Sequence, residues 1–234
     1  MNRIERLGEE MNGFWLKIIA MIAMLIDHSA AILLPYDTPL YDICRSIGRL
    51  AFPIFCFLLV EGFLHTGNVK KYLVRLGIFA LLSDIPFDLA FFHTPIYPEY
   101  QNIFFTLFIG LMVLVLLKLI EDKYEGGGLY PILGAAVVVG GCLLSVLLST
   151  DYNYIGILMI LSFYLFRYNK VLLTVALVMV NGMAESKLQI LAVFAMIPIL
   201  FYNGQRGPKF NKYIFYAFYP VHIFVLYLIK AYLI

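Results

Sequence analysis

Charge is what this chain has least of. Aspartate, glutamate, lysine and arginine together make up 14% of its 234 residues, against 62% hydrophobic residues, and the mean hydropathy is +0.88. A soluble domain could not hide that much apolar surface, so the composition excludes one. The formal net charge of +2 is too small to suggest nucleic acid, and no such partner is expected. Cysteine is nearly absent. Cys44, Cys56 and Cys142 are odd in number and show no CxxC spacing, so they support neither a disulfide framework nor a zinc knuckle. No HExxH occurs and the four histidines lie far apart in the chain, so no metal site is expected.

Other features are also missing. The polar start "MNRIERLGEEMNG" has no small-residue cleavage site, so the first apolar run is expected to stay as an anchor. The short alternating segments of a membrane β-barrel do not occur. Neither do the internal repeats of many secondary transporters, and only the "EGGG" turn at 125–128 is of low complexity.

What the chain does have is long continuous apolar runs such as "IFFTLFIGLMVLVLLKLI". At about 20 residues per crossing, they predict an all-α polytopic bundle that forms a single integral-membrane domain over 1–234. The expected spans are 14–34, 47–64, 72–92, 103–120, 130–149, 154–166, 171–184, 188–202 and 213–233, nine in all. Under this division, thirteen lysines and arginines fall on the N-terminal side of the membrane and three (Arg45, Lys187 and Lys230) on the other, with Arg49 inside a span. Cytoplasmic loops are enriched in these residues, so the N-terminus is expected inside and the C-terminus outside.

Ionisable residues within spans are costly unless they find partners or water inside the bundle, which makes each a functional candidate. Asp27 and His28 in "MLIDHSAA", Arg49, Asp84 and Asp88 gather toward the outer half, with Gln101, Asn102, Asp151, Asn181, Glu185 and Gln189 at outer boundaries. Glu61, His65, Lys70, Lys71 and Arg75 gather on the inner side, together with Lys209 and Lys212 before the last span, and His222 falls near that span's middle. Two polar zones at different depths suggest a substrate reached from one side and a cofactor from the other. Adjacent helical residues point about 100° apart, so Asp27 and His28 must meet different neighbours, with Arg49 the counter-ion expected for Asp27. Structural readings stand beside these. A buried Asp–Arg pair can be a simple brace, Glu61 and His65 can be solvated, Asp84 and Asp88 can serve a helix end, and His93 reads as a loop residue.

The segments "LKIIAMIAMLIDH", "IGRLAFPIFCFLLVEGFLHTGNVKKYLVRLGIFALLSDIPFDLAF", "QNIFFTLFIG", "DYNYIGIL" and "YIFYAFYPVH" resemble the TraX family over nearly the whole chain. That resemblance implies a membrane-embedded N-acetyltransferase that moves acetyl from acetyl-CoA to the amine of an exported protein or peptide, in a multi-pass protein of the cell membrane. On this reading His28 is the base, supported by Asp27, Asp84 and Asp88, and Arg49 clamps Asp27 or stabilises the oxyanion. His222 lies on the acyl path, and Glu61 and His65 belong to the substrate region. Lys70, Lys71, Arg75, Lys209 and Lys212 would take the donor's phosphates. The alternatives are an O-acyltransferase acting on a sugar hydroxyl and a proton-coupled transporter.

Overall fold

Asn12 opens the first helix. Its side-chain oxygen accepts hydrogen bonds from the amides of Phe14 and Trp15 at 3.0 and 3.3 Å, satisfying donors that a helix start leaves bare. The chain then runs through α1 (Gly13–Leu33), α2 (Pro39–Gly48), α3 (Ala51–His65), α4 (Val69–Phe92) and α5 (Ile103–Tyr124). It continues as α6 (Leu129–Leu147), α7 (Asn153–Phe166), α8 (Lys170–Gly182), a 3-10 segment Lys187–Ala195, α9 (Met196–Leu200) and α10 (Lys212–Leu233). This computed structural model describes residues 11–124, 127–184 and 186–233. Asn68 and Asn169 cap α4 and α8 in the same way, and Thr38 followed by Pro39 starts α2. The expectation of an all-helical bundle holds.

Five described segments are long and apolar enough to cross a bilayer: Gly13–Leu33, Pro39–His65, Ile103–Tyr124, Leu129–Leu147 and Lys212–Leu233. Helix α4 has the length at 24 residues but carries Lys70, Lys71, Arg75, Asp84 and Asp88. The apolar helices within 153–200 are shorter. Large apolar side chains cover the outside, with Leu81 67%, Val171 73% and Leu147 80% exposed. A lipid environment satisfies such a surface and water does not. The chain is a multi-pass membrane protein.

Two stretches depart from the expected division. Residues 35–46, expected as an outer loop, hold most of α2, which packs on the C-terminal half of α1. Residues 188–202, expected as one span, form the 3-10 segment followed by the short α9. A 3-10 helix repeats every three residues, and that period places Gln189, Ala192 and Ala195 together on the buried face. The two small alanines let this segment lie against α3 and α8.

Helix α3 is the hub of the packing, touching α1, α5, α7 and the 3-10 segment. Helix α4 packs instead on α10 and α5, and α10 closes the ring against α1. Because α3 and α4 leave their short connection toward different partners, a cavity of about 950 Å³ opens among α1, α3, α4, α5 and α10.

Where α3, α5 and α7 meet, Gly156 leaves no room for a side chain. A Cβ there would collide with the Thr106 methyl and lie 3.1 Å from the Phe52 ring. Thr106 also donates from its hydroxyl to the Asp151 carbonyl. Gly156→Ala is therefore expected to cost about 1–3 kcal/mol, as overpacked cores do. A lowered thermal midpoint in detergent would register this, and an unchanged one would show that the junction is slack.

Candidate functional site

The outer end of the cavity is organised by one carboxylate. Asp27, on the inward face of α1, accepts from Arg45 of α2 at Oδ2 and from Arg49 at Oδ1, the latter at 3.2 Å. Arg45 and Arg49 are four residues apart across the α2–α3 bend and so share a face. Gly48 makes the approach possible, because a Cβ at that position would overlap the Asp27 side chain. Arg49 reaches further, to Tyr152 Oη at 3.4 Å, Gln189 Oε1 at 3.2 Å and, through Nε, the Arg45 carbonyl at 3.3 Å. Gln189 in turn donates to Asn181 Oδ1 at 2.8 Å, so one network ties α1, α2, the α2–α3 bend, α8, the 3-10 segment and the turn before α7 together. In that turn Asp151 accepts from the Tyr100 hydroxyl at 3.1 Å. Desolvation raises its carboxyl above the usual carboxylate range, while Arg49 pulls the other way.

His28 faces elsewhere, as helical geometry requires. Its Nδ1 lies 2.7 Å from Nε2 of His222 on α10. The ring planes are within 6° and the centroids 5.0 Å apart, so the two imidazoles sit edge to edge in nearly one plane. That is an N–H···N hydrogen bond and not face-to-face stacking. His222 Nδ1 lies 2.6 Å from the Phe218 carbonyl. A carbonyl only accepts, so the neutral pair has one consistent proton assignment. Nδ1 of His222 donates to Phe218, Nε2 of His222 accepts from Nδ1 of His28, and Nε2 of His28 keeps its lone pair. Phe91 and Tyr219 meet the His28 ring edge-on at 5.8 and 5.7 Å. His28 lines the cavity, whereas His222 stands behind it.

The other end of the same cavity is basic. Lys17, Lys71, Arg75, Arg206 and Lys212 line it, together with Glu61 and His65. Glu61 accepts from the Tyr202 hydroxyl at 3.1 Å and lies 3.8 Å from His65 Nδ1. The amide of Gly13 bonds to the Gln205 carbonyl at 2.8 Å, which holds the start of α1 to the loop before α10 and gathers these cations. Lys17 and Asp27 lie on one helix, about 15 Å apart along its axis. The cavity therefore joins the two polar zones.

Other expected site residues lie off the cavity. Asp84 accepts from Asn102 Nδ2 at 2.7 Å and Asp88 from the Tyr97 amide at 2.7 Å, fastening the end of α4 to the segment that follows it. Lys70 lines a neighbouring groove of about 510 Å³ with Lys71, Arg75 and Lys212. Lys209 is exposed and lines neither space. Glu185 lies outside the described residues. Sequence reasoning missed Arg45, Tyr152, Lys17 and Arg206 as parts of the site. Only Arg45 had a local signal, the "TPLYDICRSIGR" stretch with its Thr-Pro helix start. Among the described residues, no group of three or more side chains is placed to hold a metal ion.

The TraX protein family model matches residues 12–230. The chain belongs to the TraX family. It is also 30% identical to the probable fimbrial assembly protein FimC, serogroup H1, of Dichelobacter nodosus, over 96% of this chain and 98% of the relative. No solved structure matches. The match to the TraX family covers both polar zones and every helix that lines the cavity.

Removing one partner from a buried ion cluster leaves the others uncompensated, at a cost of about 3–5 kcal/mol. Asp27→Asn, which strands two guanidiniums, is expected to lower the thermal midpoint in detergent by a corresponding margin. An unchanged midpoint would mean that water already compensates the arginines.

Proposed function

We propose that this membrane protein transfers acetyl from acetyl-CoA to an amine on an exported protein or peptide. The observation that carries this reading is His28, held by His222 with Nε2 unprotonated at the outer end of a cavity whose inner end is basic. An amine acceptor is mostly ammonium near neutral pH, so it needs a base before it can attack. Nε2 of His28 is suited to that role. His222 acts through His28 as a positioning residue, since its own second nitrogen is committed to the Phe218 carbonyl.

Acetyl-CoA is cytoplasmic, and its phosphates cannot enter lipid. Lys17, Lys71, Arg75, Arg206 and Lys212 are the cations placed to take those phosphates, and Arg75 adds a buried Nε with no hydrogen-bond partner among the described residues. The donor's long amide-bearing arm would follow the cavity toward His28. This puts the basic end and the N-terminus on the cytoplasmic side of the cell membrane and the C-terminus outside. Asp151 lines the cavity and Asp84 and Asp88 do not, so Asp151 is the carboxylate we assign to the incoming ammonium. The fimbrial assembly name of the Dichelobacter relative favours an exported pilus-type subunit as the acceptor.

His28→Ala is expected to abolish transfer of radiolabelled acetyl to an N-terminal amine in membranes containing the folded variant, and wild-type turnover there would defeat the assignment. His222→Gln, which keeps an oxygen to accept from His28, should retain more activity than His222→Phe. Reversing charge at Lys71 and Arg75 should raise the KM for acetyl-CoA with less effect on kcat, and an unchanged KM would remove them from the donor site.

A further inference from the structure

We infer that Arg45, and not Arg49, carries the negative charge that develops on the substrate during transfer. The inference rests on the acetyl-transfer reading above and comes from counting hydrogen-bond donors. A guanidinium has five N–H groups. Arg49 directs four of them to acceptors: Nε to the Arg45 carbonyl, one terminal nitrogen to Tyr152 and Gln189, and the other to Asp27. One N–H is left. Its work is to brace Asp27 and to tie the α2–α3 bend to the turn before α7 and to the 3-10 segment, which makes it a positioning residue.

Arg45 is differently placed. It gives one terminal nitrogen to Asp27, and that carboxylate is the one hydrogen-bond acceptor its guanidinium meets among the described residues. Its guanidinium carbon lies over the Tyr41 ring, 5.9 Å from the ring centre. Both arginines line the cavity, and the Arg45 side chain is the more open of the two, 23% exposed against 14% for Arg49. A guanidinium held at one corner by a carboxylate, above an aromatic ring and with unspent N–H groups on a cavity wall, is a preorganised anion contact. Arg45 and the base, His28, line the same cavity.

The step balances as follows. The acceptor nitrogen bonds to the thioester carbonyl carbon, and the C=O electron pair moves to oxygen, where the free N–H groups of Arg45 meet it. Nε2 of His28 takes one proton from the ammonium before the attack, and the proton that the nitrogen sheds on becoming an amide is taken up by the departing thiolate. Collapse of the oxyanion restores C=O and breaks the C–S bond, and the coenzyme thiolate leaves.

Arg45→Lys keeps a positive charge opposite Asp27 but loses the planar fork. We expect its kcat for acetyl transfer to fall by about 10²–10³-fold, as for loss of an oxyanion donor, with unchanged KM for acetyl-CoA and a thermal midpoint near wild type. In folded Arg45→Ala, added guanidinium at millimolar concentration should restore part of the rate. Wild-type kcat in Arg45→Lys overturns the inference, as does absence of rescue in an Arg45→Ala protein that is folded at the assay temperature. A wild-type chain that transfers no acetyl defeats the acetyl-transfer reading itself.

Discussion

Asp27 lies between two guanidiniums inside a helix bundle whose outer surface suits lipid. Three charges taken out of water are tolerable only where geometry is held and the remaining donors are satisfied. The surrounding structure supplies the first condition for all three charges and the second for Arg49, whereas Arg45 keeps its spare N–H groups at the cavity wall. Gly48 lets α2 come close enough to α1, and Gln189, Tyr152 and a backbone carbonyl take up the rest of Arg49. The orientation of α3 relative to α1, and with it the width of the cavity, depends on this cluster.

The histidine pair shows how a single backbone carbonyl can define a chemical state some distance away. Phe218 fixes the proton on His222, and His222 fixes the proton on His28. No acidic side chain is needed to orient the imidazole. That suits a low-dielectric interior, where an extra carboxylate would need its own partners.

Much of this was legible in the sequence, for identifiable reasons. Continuous apolar runs mark helices in a membrane because backbone groups there must be satisfied within the segment, so most helix ends fell close to the expected ones. The separation of Asp27 from His28 followed from the 100° turn per residue, and Arg49 as a counter-ion followed from its depth. The rest depended on tertiary contact. Arg45 looked like a loop residue because α2 is short and amphipathic, and its partner is on another helix. Asp84 and Asp88 share a face and lie at the right depth, yet that face is occupied by Asn102 and the Tyr97 amide. The 3-10 segment at 187–195 could not be told from an α-helix, since its apolar residues suit either period.

Helix α1 carries Lys17 at one end of the cavity and His28 near the other. With no proline or break between them it acts as a ruler, fixing both the distance and the angle between the two polar zones. One residue inserted anywhere along that stretch would lengthen it by about 1.5 Å and swing the imidazole by about 100°, away from His222 and out of the cavity. The reach from the basic end to the imidazole would be the property of this bundle least free to drift.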